Sequence, residues 1–148
     1  MEEMNKAKEE AIIRFFQRDR FAHHVGIDLI KVETGYAVTR LELDEKHLNG
    51  LDSVQGGVIF TLADFAFAAA SNSNGLATVG INTNITYYKA PQGKVITAEA
   101  REISAEKKIC GCDVSVFDED GSLIAKFSGT GYRKKLKIDF FNSTVTPY

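Results

Sequence analysis

Gln55-Gly56-Gly57-Val58-Ile59-Phe60-Thr61-Leu62-Ala63-Asp64-Phe65-Ala66-Phe67-Ala68-Ala69-Ala70-Ser71 is the stretch on which the reading of this chain turns. A glycine pair opens a long, alanine-rich and almost wholly apolar run, and a helix that is apolar all round is a buried one. The run ends at Ser71-Asn72-Ser73-Asn74-Gly75, where Asn and Gly tolerate the left-handed backbone that closes many helices. Ala63, Ala66, Ala68, Ala69 and Ala70 let a sheet approach closely, while Ile59, Phe60, Leu62, Phe65 and Phe67 fill the remaining space; Phe60 and Phe67 read as core. Asp64 interrupts the pattern, as the one residue charged at neutral pH between Asp52 and Lys89. An ionised carboxylate taken out of water shifts its pKa or finds donors. Asp64 is therefore either a structural carboxylate with distant partners or a base or nucleophile tuned by desolvation. The glycine pair has two readings as well. It permits close packing of backbone on sheet, or it exposes amides at a helix start as an oxyanion site.

Working outward, everything after Gly75 reads as strand. Residues 76–88 are β-branched, and Ala90-Pro91-Gln92-Gly93 makes a turn. Residues 94–103 place Ile96, Ala98 and Ala100 on one face, and residues 109–117 do the same with Cys110, Cys112, Val114 and Val116. Asp118-Glu119-Asp120-Gly121 turns the chain into a last strand at residues 122–132. Upstream, residues 2–20 carry Ala11, Ile12, Phe15, Phe16 and Phe21 at mostly helical spacing, which predicts a surface helix docking by its last turns. His23-His24 lead into strands at 25–32 and 36–43, joined by Glu33-Thr34-Gly35; residues 44–54, with Asn49-Gly50, form a loop.

The sum is α+β: an antiparallel sheet of about six strands wrapped around one long central helix, the last four strands as a meander, with an extra N-terminal helix. Residues 1–148 make one domain, with a helical extension over 1–20 and a flexible tail over 133–148. One sheet edge is left open, and a second copy is a natural way to cover it.

Composition narrows the function classes. Apolar residues make up 44% of the 148, and a net charge of -2 offers no general attraction to nucleic acid or a membrane surface. The N-terminus lacks the apolar core of a signal peptide, and no apolar stretch approaches the ~20 residues of a membrane helix. Cys110 and Cys112, two apart on one strand face, suit neither a disulfide nor a zinc site and read as reduced core residues in a cytoplasmic protein.

Asn49-x-x-Asp52-x-x-Gln55-Gly56-Gly57-x-x-Phe60-x-Leu62-Ala63-Asp64-x-Ala66-x-Ala68 resembles the signature of hotdog-fold acyl-CoA thioesterases, most closely the phenylacetic-acid-degradation (PaaI-like) type. The likeness continues through Ile85-Thr86-Tyr87-Tyr88-Lys89-Ala90-Pro91 and Asp120-Gly121, covering most of residues 24–132. It implies hydrolysis of a small or medium acyl-CoA, aromatic acyl groups included. Asp64 would attack the thioester carbonyl or activate the water that does. The Gly56 amide would polarise the carbonyl, with Gln55 beside it, and Asn49 would position water or the carboxylate. Gly57, Thr83, Tyr88, Lys89 and Pro91 would contact substrate. The family pattern implies no metal or redox cofactor, and a homodimer in which Asp64 of one protomer faces Gln55 and Gly56 of the other, assembled as a dimer of dimers.

Three positions depart from the pattern. Gln55 replaces the usual histidine; its amide donates a hydrogen bond but does not titrate near neutrality. Asp52 replaces glycine. Gly80 stands near the place of a Ser or Thr hydroxyl, for which Thr78, Asn82 or Thr83 are the substitutes at hand. The alternative is a hotdog module that binds acyl-CoA without turning it over. A dehydratase expects a catalytic histidine, and His47 is the only one near the motif. His23 and His24 read as solvated loop residues or contacts to the coenzyme nucleotide. Lys89, Arg133, Lys134 and Lys135 read as a solvated strand-end cluster or as contacts to its phosphates.

Overall fold

Gly56–Asn72 forms the long helix expected, with Gln55 as its N-cap. In this computed structural model, which describes residues 4–148, the helix is buried on most sides; a less covered strip runs through Gly57, Thr61, Asp64 and Ala68. Those positions recur at spacings of four and three, one face of an α-helix. The elements in chain order are α1 (Lys6–Phe16), α2 (Arg20–Val25), β1 (Ile27–Glu33), β2 (Tyr36–Glu42), a 3-10 turn (Glu45–His47), α3 (Gly56–Asn72), β3 (Leu76–Tyr87), β4 (Val95–Ala105), β5 (Ile109–Phe117), β6 (Leu123–Asp139) and β7 (Thr144–Pro147).

The strands form one antiparallel sheet curled around α3, the hotdog architecture. Ile96, Ala98 and Ala100 of β4 and Cys112, Val114 and Val116 of β5 are buried against the helix, so the alternation read in the sequence gives the inward face. Both thiols are unpaired, and burial pushes that of Cys112 up to about 12. Among the described residues no helix is long and apolar enough to cross a membrane.

The expected four-strand meander is corrected. The order is β1-β2-β4-β5-β6-β3, so β3 pairs with β6 and lies at the far edge. The cause is topological. Helix α3 crosses the concave face between β2 and β3 and delivers β3 to the opposite side, and the β4–β5–β6 hairpins fill the middle.

The single N-terminal helix is two. Residues 1–3 of the expected extension lie outside the described residues, α1 stops at Phe16, and α2 starts after Asp19, whose Oδ1 accepts from the Ala22 amide at 3.0 Å. Gly26 closes α2 in the left-handed region (φ 99°). His23 and His24 are therefore exposed on a helix, not in a loop. On α1, Ala11 and Ile12 are buried, and Glu9 accepts from the Val32 amide of β1 at 3.0 Å.

The flexible tail expected over 133–148 is also corrected: β6 continues to Asp139, and β7 folds back onto it. Phe140, at the end of β6, is buried edge-on against Phe15 with ring centroids 5.4 Å apart. Phe16 in turn meets Phe65 of α3 at 6.0 Å, and Arg18 donates to the Ser143 carbonyl at 3.1 Å. Tail and N-terminal helix hold each other in place.

Candidate active site

The loop before α3 is built by its own side chains. His47 is buried; its Nδ1 accepts from the Asp44 amide at 3.0 Å, which leaves Nε2–H to donate to the Val25 carbonyl at 2.6 Å. With both ring nitrogens committed, it does not supply a dehydratase histidine. Asn49 is exposed, and its Oδ1 accepts from the amides of Leu51 (2.8 Å) and Ser53 (3.1 Å), folding the loop around itself. Asp52 has φ 56°, the left-handed region that Asp enters more readily than most side chains. Glycine being usual at this position, the constraint is backbone geometry, and aspartate satisfies it.

Gln55 ties the loop to α3. Its amide N–H donates to the His47 carbonyl at 2.9 Å, and its Oε1 accepts from the Gly57 amide. This bond turns the Gln55 Nε2 donors away from Gly57 and occupies the Gly57 N–H. As the first residue of α3, Gly56 has no intrahelical acceptor for its own N–H, and it makes no loop or cap bond among the described residues. A Cβ at Gly56 would press on the Tyr87 ring at 3.3 Å, and one at Gly57 would displace the Gln55 side-chain amide, whose Oε1 would lie 2.6 Å away.

The free Gly56 amide borders a cleft of about 350 Å³ lined by Val54, Gly56, Ile59, Tyr87, Tyr88, Lys89 and Ala90. Gly56, Tyr88 and Lys89 thus line one cleft. Pro91 lines an adjacent depression with Asp52 and Ser53. Thr83 is partly buried opposite Gly129 on β6, outside the cleft. Tyr87 went unnoticed in the sequence; its hydroxyl donates to the Gly56 carbonyl at 2.9 Å. Nothing local marks it out, because the contact joins positions 31 residues apart.

Asp64 is half-buried and has no hydrogen-bond or ion-pair partner among the described residues. Burial pushes its carboxyl above the usual aspartate value, and the charge of Asp19 adds to the effect. Phe65, the next residue, lines a cavity of about 370 Å³ with Phe16, Asp19, His23 and Asp28. Gly56 and Asp64 are eight residues apart on one helix, a rise of about 12 Å.

At Gly80 a Cβ would sit 3.1 Å from the Phe67 ring, a fit that requires the ring to give by a few tenths of an ångström. Among the substitutes, Thr78 is consumed, accepting from Arg133 Nη1 at 2.8 Å and donating to the Leu76 carbonyl at 2.8 Å. Arg133 itself corrects the phosphate reading. It is buried, donates to the Ser71 carbonyl at 2.8 Å and pairs with Glu102 at 3.1 Å, while Lys89, Lys134 and Lys135 are exposed.

A family model for the thioesterase superfamily matches residues 52–125. The acyl-coenzyme A thioesterase PaaI of Escherichia coli K12 is 34% identical over 119 residues, spanning 80% of this chain and 85% of that protein. The solved structure of the E. coli PaaI protein superposes with a TM-score of 0.83 at 30% identity, covering 88% of this chain and 95% of its own. A Streptococcus mutans UA159 protein solved bound to acetyl CoA superposes with a TM-score of 0.70 at 25% identity, covering 74% and 89%.

Proposed function

The chain belongs to the thioesterase superfamily, and from that premise we propose that it hydrolyses acyl-CoA thioesters to the free acid and CoA through Asp64. The observation that carries the assignment of Asp64 is its isolation: a half-buried carboxylate on the open face of α3 with no partner among the described residues. No donor among the described residues gives it a structural task. In one route the carboxylate attacks the carbonyl carbon, the C–S bond breaks, and water hydrolyses the resulting anhydride. In the other Asp64 takes a proton from the attacking water. In both, the developing oxyanion needs a donor and the departing thiolate of CoA takes a proton.

The Gly56 N–H supplies that donor, with Gln55 Nε2 beside it. A rise of about 12 Å keeps the Gly56 and Asp64 of one helix from reaching the same carbonyl. The complete site therefore takes Gly56 and Gln55 from one protomer and Asp64 from another, and the open edge of β3 is where two copies join. The dimer of dimers is part of the same reading. Tyr88, Lys89 and Pro91 flank the Gly56 cleft as substrate contacts, and Asn49 shapes the loop that presents it. The Asn49 Nδ2 group is then the donor available to water, while the Gly57 amide holds the Gln55 side chain in place. The chemistry uses protein groups alone. Two buried, unpaired cysteines support a reducing, cytoplasmic setting.

The test is thiol release over short, medium, long and aromatic acyl-CoA thioesters, with Asp64→Asn in parallel. Release by the wild type and its loss in the variant is expected; full activity in Asp64→Asn would sink the mechanism. The Phe67 ring in the space of the family hydroxyl favours one second reading, a module that binds acyl-CoA without turnover. Zero release across the panel with binding retained would establish it.

A further inference from the structure

We propose that Tyr87 is a positioning residue of this hydrolysis: its hydroxyl fixes the first turn of α3 so that the Gly56 amide stays aimed into the cleft. The inference rests on the thioesterase reading above. The oxyanion donor sits in the first turn of the helix, and the Gln55 carbonyl of its own peptide accepts from the Val58 amide at 3.0 Å. A first turn has no preceding carbonyls to bind its amides, and two successive glycines add the freedom of residues without a Cβ. Two side chains restrain the peptide that follows the donor, Gly56–Gly57. Gln55 Oε1 accepts from the Gly57 amide on one side, and the Tyr87 hydroxyl donates to the Gly56 carbonyl at 2.9 Å on the other. The Tyr87 ring lies against Gly56 closely enough that a Cβ would meet it at 3.3 Å.

The anchor behind that hydroxyl is firm. Tyr87 pairs with Ala125 in the β3–β6 ladder, and the next amide, that of Tyr88, donates to the Ile124 carbonyl at 2.8 Å. Its hydroxyl proton is committed to Gly56, so Tyr87 donates no proton to substrate. The bond gives direction more than stability: Tyr87 is 45% exposed, and water would satisfy the Gly56 carbonyl nearly as well if the hydroxyl were absent. What water does not supply is a fixed placement of the Gly56–Gly57 peptide, which is joined to the donor peptide at the Gly56 Cα. The strand that carries Tyr87 is also the open edge at which two copies join, so this one bond links the donor to the strand that sets its distance from the partner's carboxylate.

Tyr87→Phe keeps the ring and removes the hydroxyl. The expected result is kcat lower by about tenfold, KM within about twofold, an unchanged unfolding midpoint, and faster amide exchange at residues 56–58. A kcat within twofold of wild type overturns the proposal. So does a loss of kcat that follows a fall in the unfolding midpoint and disappears on cooling, because that is the behaviour of a merely structural hydrogen bond. Wild-type protein that releases no thiol would sink the thioesterase reading and this inference with it; an active wild type with an unaffected Tyr87→Phe sinks this inference alone.

Discussion

Asp19, the residue that caps α2, stands close enough to Asp64 of α3 for its negative charge to raise the Asp64 carboxyl, in addition to the larger effect of burial. In the proposed mechanism Asp64 acts in its ionised form, so kcat/KM should climb as pH rises through a pKa above the ordinary 3.8. Replacing Asp19 with Asn retains a good N-cap and deletes the charge. The acidic limb of the kcat/KM profile should then move to lower pH. The exposed His23 and Asp28 border the same cavity and are unaltered by the change. A limb that stays in place would show that Asp19 has no electrostatic hold on the active carboxylate.

Asp64→Asn should lower turnover by about 10²–10⁴ without lowering the melting temperature at pH 7. The sign follows from linkage. A carboxyl whose folded pKa is raised contributes stability that is fully present below its unfolded pKa and lost as pH rises through the folded one. At neutral pH the ionised Asp64 is thus a cost to the fold, which a neutral isostere relieves. Thiol release and a thermal melt on the same preparation check both halves.

Gly80→Ser, which restores the family hydroxyl, should not raise the rate on its own. Its Cβ would sit 3.1 Å from the Phe67 ring, and overpacking of this kind costs about 1–3 kcal/mol. Pairing it with Phe67→Leu should recover part of the urea midpoint.

Arg133→Ala should cost about 3–5 kcal/mol, because it leaves Glu102 uncompensated at a site where the two side chains are only 3% and 11% exposed. KM for acyl-CoA should be unchanged. A urea titration and a KM measurement separate this role from phosphate binding, which would raise KM instead.

Mixing two inactive variants tests the shared site. Asp64→Asn and Gly56→Val each damage a different half, the latter through the Tyr87 ring. Co-refolded in equal amounts, they should regain about a quarter of wild-type activity, since half the dimers then carry one intact site of two. No recovery would place both halves of each site within one chain.

What could be read in the sequence was what local pattern controls. The apolar run from Ile59 to Ala70 has one physical reading, and the alternation at Ile96, Ala98 and Ala100 has another; both hold. The misreadings come from distant partners. Arg133, Lys134 and Lys135 look like a frayed basic tail until β3 lies beside them and Glu102 neutralises the guanidinium. Phe140 has meaning only against Phe15, more than a hundred residues away. The α2 helix was legible in principle, since Asp19 and Gly26 are its start and stop signals, but six residues of mixed polarity gave no period to follow. At the site, the order Asn49, Gly56, Asp64 could be seen in one line of sequence. Tyr87 could not, because its hydrogen bond to Gly56 depends on which strand end reaches the helix.

The Glu9 carboxylate on the Val32 amide has a consequence for how copies accumulate. It lies on β1, one margin of the sheet, and α1 covers that margin; β3 forms the other. A sheet with two bare margins recruits head to tail and grows into a ribbon without limit. With one margin sealed, the proposed dimer forms by a neighbour offering the same strand it meets, and that union would use up the free margin of both. In the proposed dimer, growth by edge pairing would stop after a single step, with α1 as the terminator.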